Sequence, residues 1–314
     1  MRTGLVLGAG GLVGQAFHLG ALSALQELSA FDGRDCDVLV GTSAGSLVAA
    51  ALAGGLSAAD QAAEVLGEPV SAQGAALRAV VHAQRPAAQE ADEPSRRPLA
   101  PLAVLAAARH PLRTRPGAVV SSLLPAGSNS TEPISRGVRR LHGERWPDRD
   151  VRICALRAAD AHRVVFGTPG APETDLGTAV AASCAIPGWF RPVRIGGRPY
   201  VDGGGHSPTN ADVLVPDHLD LVVVLSPMTL LRAAPRPDLP LRLTVRGYLS
   251  QEVRQLRKAG ARVIVVQPTQ ADLAVMGSNP MRGSGLDQVV RTAAASVRRR
   301  LTAQPSLEAD LAQR

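Results

Sequence analysis

The chain has 314 residues, 45% hydrophobic and 19% charged, which fits a globular protein with one large domain or two small ones. Aromatic residues make up only 3%, so Ala, Val and Leu must build the core, and no apolar run reaches the roughly 20 residues that a membrane span needs. Lysine and arginine outnumber aspartate and glutamate by 34 to 27, a net charge of +7 that favours anionic partners; without a zinc-finger or RNA-recognition signature, no nucleic acid is expected.

Gly4-Leu5-Val6-Leu7 reads as a short buried strand, followed by a glycine loop from Gly8 to Gly14. A helix is predicted from about Gln15 to Ser29, with Phe17, Leu22, Leu25 and Leu28 on one stripe. Val38-Leu39-Val40 is a second strand, and the run from Leu47 to Ala53 a second helix. Strands separated by helices predict an α/β fold with a largely parallel central sheet and helices on both faces. Residues 54–147 are rich in Ala, Pro and Arg and are read as a helical cap-like insertion. Helical pieces are expected at Ala58–Leu66, Leu99–Arg109 and Ile134–Leu141, with an irregular loop from Arg85-Pro86 to Arg97-Pro98. Val151–Leu156 and Arg163–Phe166 predict a hairpin turning at Ala159-Asp160-Ala161. A helix from Thr174 to Ser183, capped by Thr174, comes before a second hairpin at Pro192–Val201 around Gly196-Gly197. Leu221–Leu225 and Val263–Val266 are continuous apolar strands of the kind covered on both faces, with a helix at about Val245–Ala259 between them. Leu286–Leu301 closes the fold, with Arg298-Arg299-Arg300 where cations suit the helix dipole. The expected organisation is a single domain over 1–301 with a tail at 302–314.

Ser43 lies in Gly41-Thr42-Ser43-Ala44-Gly45, between a strand and a helix, which is the setting of a nucleophile elbow. The flanking glycines permit a sharp turn that exposes the hydroxyl, and the next helix aims its N-terminal N–H groups at the site. The alternative is a strand-to-helix turn with Ser43 as a cap residue. Gly8-Ala9-Gly10-Gly11-Leu12-Val13-Gly14 can direct several backbone N–H groups to one point, as a phosphate cradle or an oxyanion hole, or it is merely a tight turn. Asp202-Gly203-Gly204 is a candidate base for Ser43, or an ordinary Asp-Gly turn. Ala182-Ser183-Cys184-Ala185-Ile186-Pro187 reads as a helix end with a proline stop.

Together these four segments, in this order, resemble the patatin-like phospholipase family. The stretch from Leu5 through Gly11 to His18-Leu19-Gly20-Ala21-Leu22 is similar to its bacterial branch. The resemblance covers 1–53 and about 151–225. It implies a serine lipid acyl hydrolase, of phospholipase A, lysophospholipase or esterase type, working through an acyl-enzyme. The implied roles are Ser43 as nucleophile, Asp202 as base, and the N–H groups of Gly10, Gly11 and Leu12 as oxyanion hole, with Gly41, Gly45, Gly203 and Gly204 shaping the motifs. It implies no catalytic histidine, no metal and no organic cofactor. Val13 stands where the family usually has Arg or Lys, which puts phospholipid head-group recognition in question more than the chemistry.

Three rival readings are weighed. A dinucleotide-binding dehydrogenase fits the glycine loop, but Tyr200 and Tyr248 are the only tyrosines, and neither has a lysine four residues on. A Ser-His-Asp hydrolase would need His206, His218 or His18 as base. A non-catalytic lipid-binding or regulatory protein would need neither Ser43 nor Asp202. A cleavable leader would remove the glycine motif, so the expected location is the cytoplasm, with peripheral contact at anionic membranes as an option. Cys36, Cys154 and Cys184 are expected to be reduced and buried. Oligomeric state and substrate head group are not encoded in any motif.

Overall fold

The computed structural model describes residues 1–29, 31–82, 100, 115–232, 235–306 and 311. Its centre is an eight-stranded mixed sheet. Five strands run parallel in the order β3 (Asp150–Arg157), β2 (Val38–Thr42), β1 (Thr3–Leu7), β7 (Leu221–Leu225) and β8 (Arg262–Val266). Three antiparallel strands extend the β3 end: β4 (His162–Phe166), β5 (Val193–Ile195) and β6 (Arg198–Asp202). Both hairpins form where expected. Ala161 takes the positive φ in one turn, and Gly196 and Gly197 take it in the other.

The continuous apolar runs are explained by burial on both faces of the sheet. Leu5, Leu7, Leu39, Ile153, Val223 and Leu225 face a layer formed by helices α1 (Gly11–Ser29), α2 (Ala44–Ala53), α7 (Leu176–Ser183) and α10 (Leu286–Ala303). Their neighbours Val6, Val38, Val40, Val222 and Val224 face Leu249, Val253 and Leu256 of α8 (Leu239–Lys258) and Leu214 of the 3-10 turn Ala211–Asp217. Cys36, Cys154 and Cys184 are buried and form no disulfide. Among the described residues no helix is long and apolar enough to cross a membrane.

Between α2 and β3 lie α3 (Ala58–Leu66), α4 (Ala72–His82), α5 (Pro116–Leu123) and α6 (Glu132–His142). Two of these match the predicted pieces. The predicted helix at Leu99–Arg109 and the loop at Arg85–Pro98 lie outside the described residues, apart from Ala100. Short α9 (Gln270–Met276) comes before the loop leading to α10.

Four boundaries differ from the sequence reading. Helix α1 begins at Gly11, not Gln15, so Gly11 to Gly14 form its first turn rather than a loop; first-turn N–H groups need no intrahelical acceptor, so glycines are tolerated there. Helix α2 likewise starts at Ala44, immediately after Ser43. The cap of α7 is Asp175, whose carboxylate accepts the Thr178 N–H, and not Thr174. Helix α8 begins six residues earlier than expected, because Pro240 sits in the first turn, where a missing N–H costs nothing.

Candidate active site

Strand β3 sets the site by register. Cys154 pairs with Thr42 on β2, and the next residue, Ala155, pairs with Asp202 on β6. Strand β4 pairs with both of these positions, Cys154 and Ala155, so it occupies the other edge of β3. Strands β2 and β6 therefore meet end to end along one edge, with Ser43 and Asp202 at the junction.

The chain leaves β2 through Ser43 at φ 52° and ψ −123°, a conformation that non-glycine residues rarely adopt. Tight packing enforces the turn. A Cβ at Gly45 would run into the backbone carbonyls of Leu7 and Gly8, so only glycine lets the elbow approach β1 this closely. The Ser43 N–H donates to Ser183 Oγ at 2.8 Å, and that hydroxyl donates to the Cys154 carbonyl at 2.7 Å. Ser43 occupies the N-cap position of α2, yet its hydroxyl makes no capping bond. The side chain is thus not spent on the helix end.

Asp202 is 8% exposed. Its Oδ1 accepts the Gly204 N–H at 2.7 Å. Burial pushes its carboxyl up to about 6, against the opposing pull of hydrogen bonds from the Ser43 hydroxyl and the Gly204 N–H.

The glycine turn lies beside this pair. The Gly8 N–H donates to Leu225 O at 3.0 Å, Ala9 to Pro208 O at 2.7 Å, and Val13 to Pro280 O at 3.1 Å. Among the described residues the N–H groups of Gly10, Gly11 and Leu12 find no acceptor. Gly11 has φ 61°, and a Cβ there would strike Pro280, so its conformation and its neighbour both select glycine. Gly10, Gly11, Ser43, Asp202 and Gly204 line one cleft of about 250 Å³; Leu12, Gly41, Gly45 and Gly203 are outside the lining, and a Cβ at any of these three glycines would strike neighbouring backbone. Val13, where a cation was the expected type, is 2% exposed and packed in the core.

Among the described residues no histidine lines this cleft. His18 is buried with Nε2 2.7 Å from the Gly8 carbonyl, and burial lowers its pKa to about 4. His206 lies in a separate groove with Arg115, Arg163 and Asp212, and burial lowers its pKa to about 3. Among the described residues no group of His, Cys, Asp and Glu is arranged to hold a metal ion.

Several contributors lay beyond sequence reasoning. Ser183 stands in one of the four family segments, but no local pattern announces its bond to the Ser43 N–H. Ser121 and Leu124 of the α5 segment line the cleft, as do Pro280 and Met281 before α10. The segment 207–211 ties the motifs together. Pro208 holds Ala9, Asn210 Nδ2 donates to Thr42 Oγ1 at 3.1 Å, and fully buried Glu252 of α8 accepts from Thr209 Oγ1 at 2.6 Å and from the Ala211 N–H at 3.0 Å. Arg115, just before α5, donates to Glu252 at 3.1 Å, anchoring that helix to the same carboxylate. No short motif flags such long-range bonds.

The family model for patatin-like phospholipases matches residues 5–215, which hold the glycine turn, Ser43, Ser183 and Asp202. The chain belongs to the patatin-like phospholipase family. Among solved structures, VipD from Legionella pneumophila is similar at 14% identity and a TM-score of 0.43, covering 96% of this chain and 67% of that one. The type III effector ExoU is similar at 15% identity and a TM-score of 0.38, covering 96% of this chain and 53% of that one. No curated protein sequence matches the chain. Within this patatin-like protein the four family segments converge on one cleft, lined by Gly10 and Gly11, by Ser43, by Ile186 and Pro187, and by Asp202 and Gly204.

Proposed function

We propose that the protein is a serine lipid acyl hydrolase using a Ser43–Asp202 dyad. The observation that carries this reading is the pairing of an uncapped, strained Ser43 with a buried Asp202 beside the unpaired N–H groups of Gly10 and Gly11. Asp202 accepts the Ser43 proton as Ser43 Oγ attacks the ester carbonyl. The Gly10 and Gly11 N–H groups receive the developing oxyanion, where losing one donor costs about 2.7–4 kcal/mol in other enzymes. Collapse expels the alcohol, which takes its proton from Asp202. Water then attacks the acyl-enzyme and gives its proton to Asp202, which returns it to Ser43 Oγ as the fatty acid leaves.

The substrate class is a phospholipid or other lipid ester, and the net charge of +7 supports transient contact with anionic membrane surfaces. We take 1–301 as one catalytic domain, with 54–147 as a cap over the cleft. The dinucleotide reading is set aside, because Gly11 to Gly14 are already helical and the cleft in front of them holds Ser43 and Asp202.

The test is hydrolysis of a short-chain p-nitrophenyl ester by wild type, Ser43→Ala and Asp202→Asn, each confirmed folded. Activity lost in both variants supports the dyad. Activity surviving in Asp202→Asn overturns it in favour of another base. An inactive wild type that still binds lipid would favour the non-catalytic reading.

A further inference from the structure

Large apolar side chains are exposed around the cleft on segments that have no sequence in common. Leu12 (38% exposed) follows Gly11, and Val120 (57%), Leu123 (36%) and Leu124 (41%) belong to α5 and its end. Trp189 (52%) lies two residues beyond Pro187. Gly11, Leu124 and Pro187 all line the cleft, and bonds from the Gly188 N–H to Pro125 O and from the Gly127 N–H to Phe190 O hold the Trp189 segment against the end of α5 beside it. Leu241 (53%) lines a depression that shares Gly10, Met228 and Pro280 with the cleft, which extends the apolar surface across the glycine turn. Met1, Leu28, Val80, Leu231 and Leu243 are exposed too, and they line neither the cleft nor this depression. Large apolar side chains exposed on several segments beside one cleft mark a contact surface.

The charge beside the rim selects the partner. Residues 188–201, which carry Trp189 and the β5–β6 hairpin, hold Arg191, Arg194 and Arg198 and no acidic residue. All three arginines are exposed. Arg194 donates to the Gly197 carbonyl, a neutral acceptor that leaves its charge in place. Tryptophan prefers the boundary between hydrocarbon and head groups, and arginine beside it pairs with anionic head groups.

We infer that the cleft mouth is a docking surface for a bilayer of anionic phospholipid, with Trp189 and the α5 side chains at the acyl boundary and the β5–β6 arginines on the head groups. The inference rests on the lipid-hydrolase reading for its purpose but not for its measurement. Docking in this pose would bring the 250 Å³ cleft over the lipid plane, so that an ester enters without crossing water.

The test uses the full chain carrying Ser43→Ala, so that vesicles are not consumed, with Trp146→Phe added so that Trp189 is the sole tryptophan reporter. Partition is measured by co-sedimentation with phosphatidylcholine vesicles, with and without phosphatidylglycerol. The expected result is a blue shift of Trp189 emission and retention on anionic vesicles, weakened by salt. Removing both charges in Arg194→Ala/Arg198→Ala should lower partition about 30-fold, from roughly 1 kcal/mol per basic residue. Trp189→Ala, read by sedimentation, should lower it on the order of ten-fold. Each variant must keep the parent melting temperature. Absence of anionic-vesicle binding, or binding indifferent to both substitutions, overturns the proposal. So does a gel-filtration dimer dispersed by Trp189→Ala, which would assign the rim to a second copy of the chain. Vesicle binding by a protein whose wild type hydrolyses no ester would keep this surface and overturn the catalytic reading instead.

Discussion

Asp202→Asn separates the proposed activity from stability, with opposite signs. Burial holds the Asp202 carboxyl at about 6, against 3.8 for the ordinary group. The folded state therefore binds this proton more tightly than the unfolded state. Stability from this group is fully present below the ordinary pKa and is lost as pH rises through the folded one. A gap of roughly two units corresponds to about 3 kcal/mol, set against the native state once the carboxylate is ionised. Asparagine carries no such charge and keeps an Oδ1 for the Gly204 N–H. Near neutral pH the variant should unfold later than wild type, by roughly 4–5 °C for a chain of this length. The two melting curves should converge below about pH 4, where both side chains are neutral. Ester hydrolysis by wild type should rise through an acidic limb centred near pH 6, and the variant should hydrolyse nothing at any pH. Melting temperatures of both proteins across this range, beside the pH–rate profile of the wild type, check the argument. An asparagine variant no more stable than wild type at neutral pH, or a rate flat from acid to neutral, would refute it.

Other substitutions test the frame around the dyad. Ser183→Ala leaves the buried Ser43 N–H without its acceptor, so stability should fall by about 1–3 kcal/mol in urea denaturation, and kcat should fall more than KM rises. Gly45→Ala drives a methyl into the Leu7 and Gly8 carbonyls, and circular dichroism with urea titration should show a loss above about 3 kcal/mol or no folded protein. Glu252→Ala strips acceptors from Thr209, the Ala211 N–H and Arg115 at once, and the urea midpoint should register about 3–5 kcal/mol.

The parts of this fold legible in sequence are those where a local pattern and a tertiary role coincide. Apolar runs such as Leu221–Leu225 read as doubly covered strands because every residue is buried. Ser43 read as an elbow because strand, glycine pair and helix are contiguous. Helix starts were less legible, since Gly11 and Ala44 begin helices only because packing against Pro280 and β1 fixes their backbone. The cap of α7 shifted by one residue because Thr174 and Asp175 are both good caps and only Asp175 is placed to meet the Thr178 N–H. Least legible were bonds between distant segments. Ser183 supports Ser43 across 140 positions, and Glu252 reaches Thr209 across 43. No periodicity carries that information.

The end-to-end meeting of β2 and β6 on β3 has a further consequence for how such a chain can diversify. Cys154 and Ala155 act as a two-position template, and the spacing between Ser43 and Asp202 is inherited from it. Helix α2 ends at Ala53 and the chain returns to the sheet at Asp150, and among the described residues the stretch between contributes no strand to the template. Its Ser121 and Leu124 line the cleft without setting the strand register. Lengthening that stretch, shortening it or replacing its chemistry alters what reaches the cleft and leaves the reacting atoms in register. A new specificity is open to this architecture by cassette replacement, with no redesign of the sheet beneath.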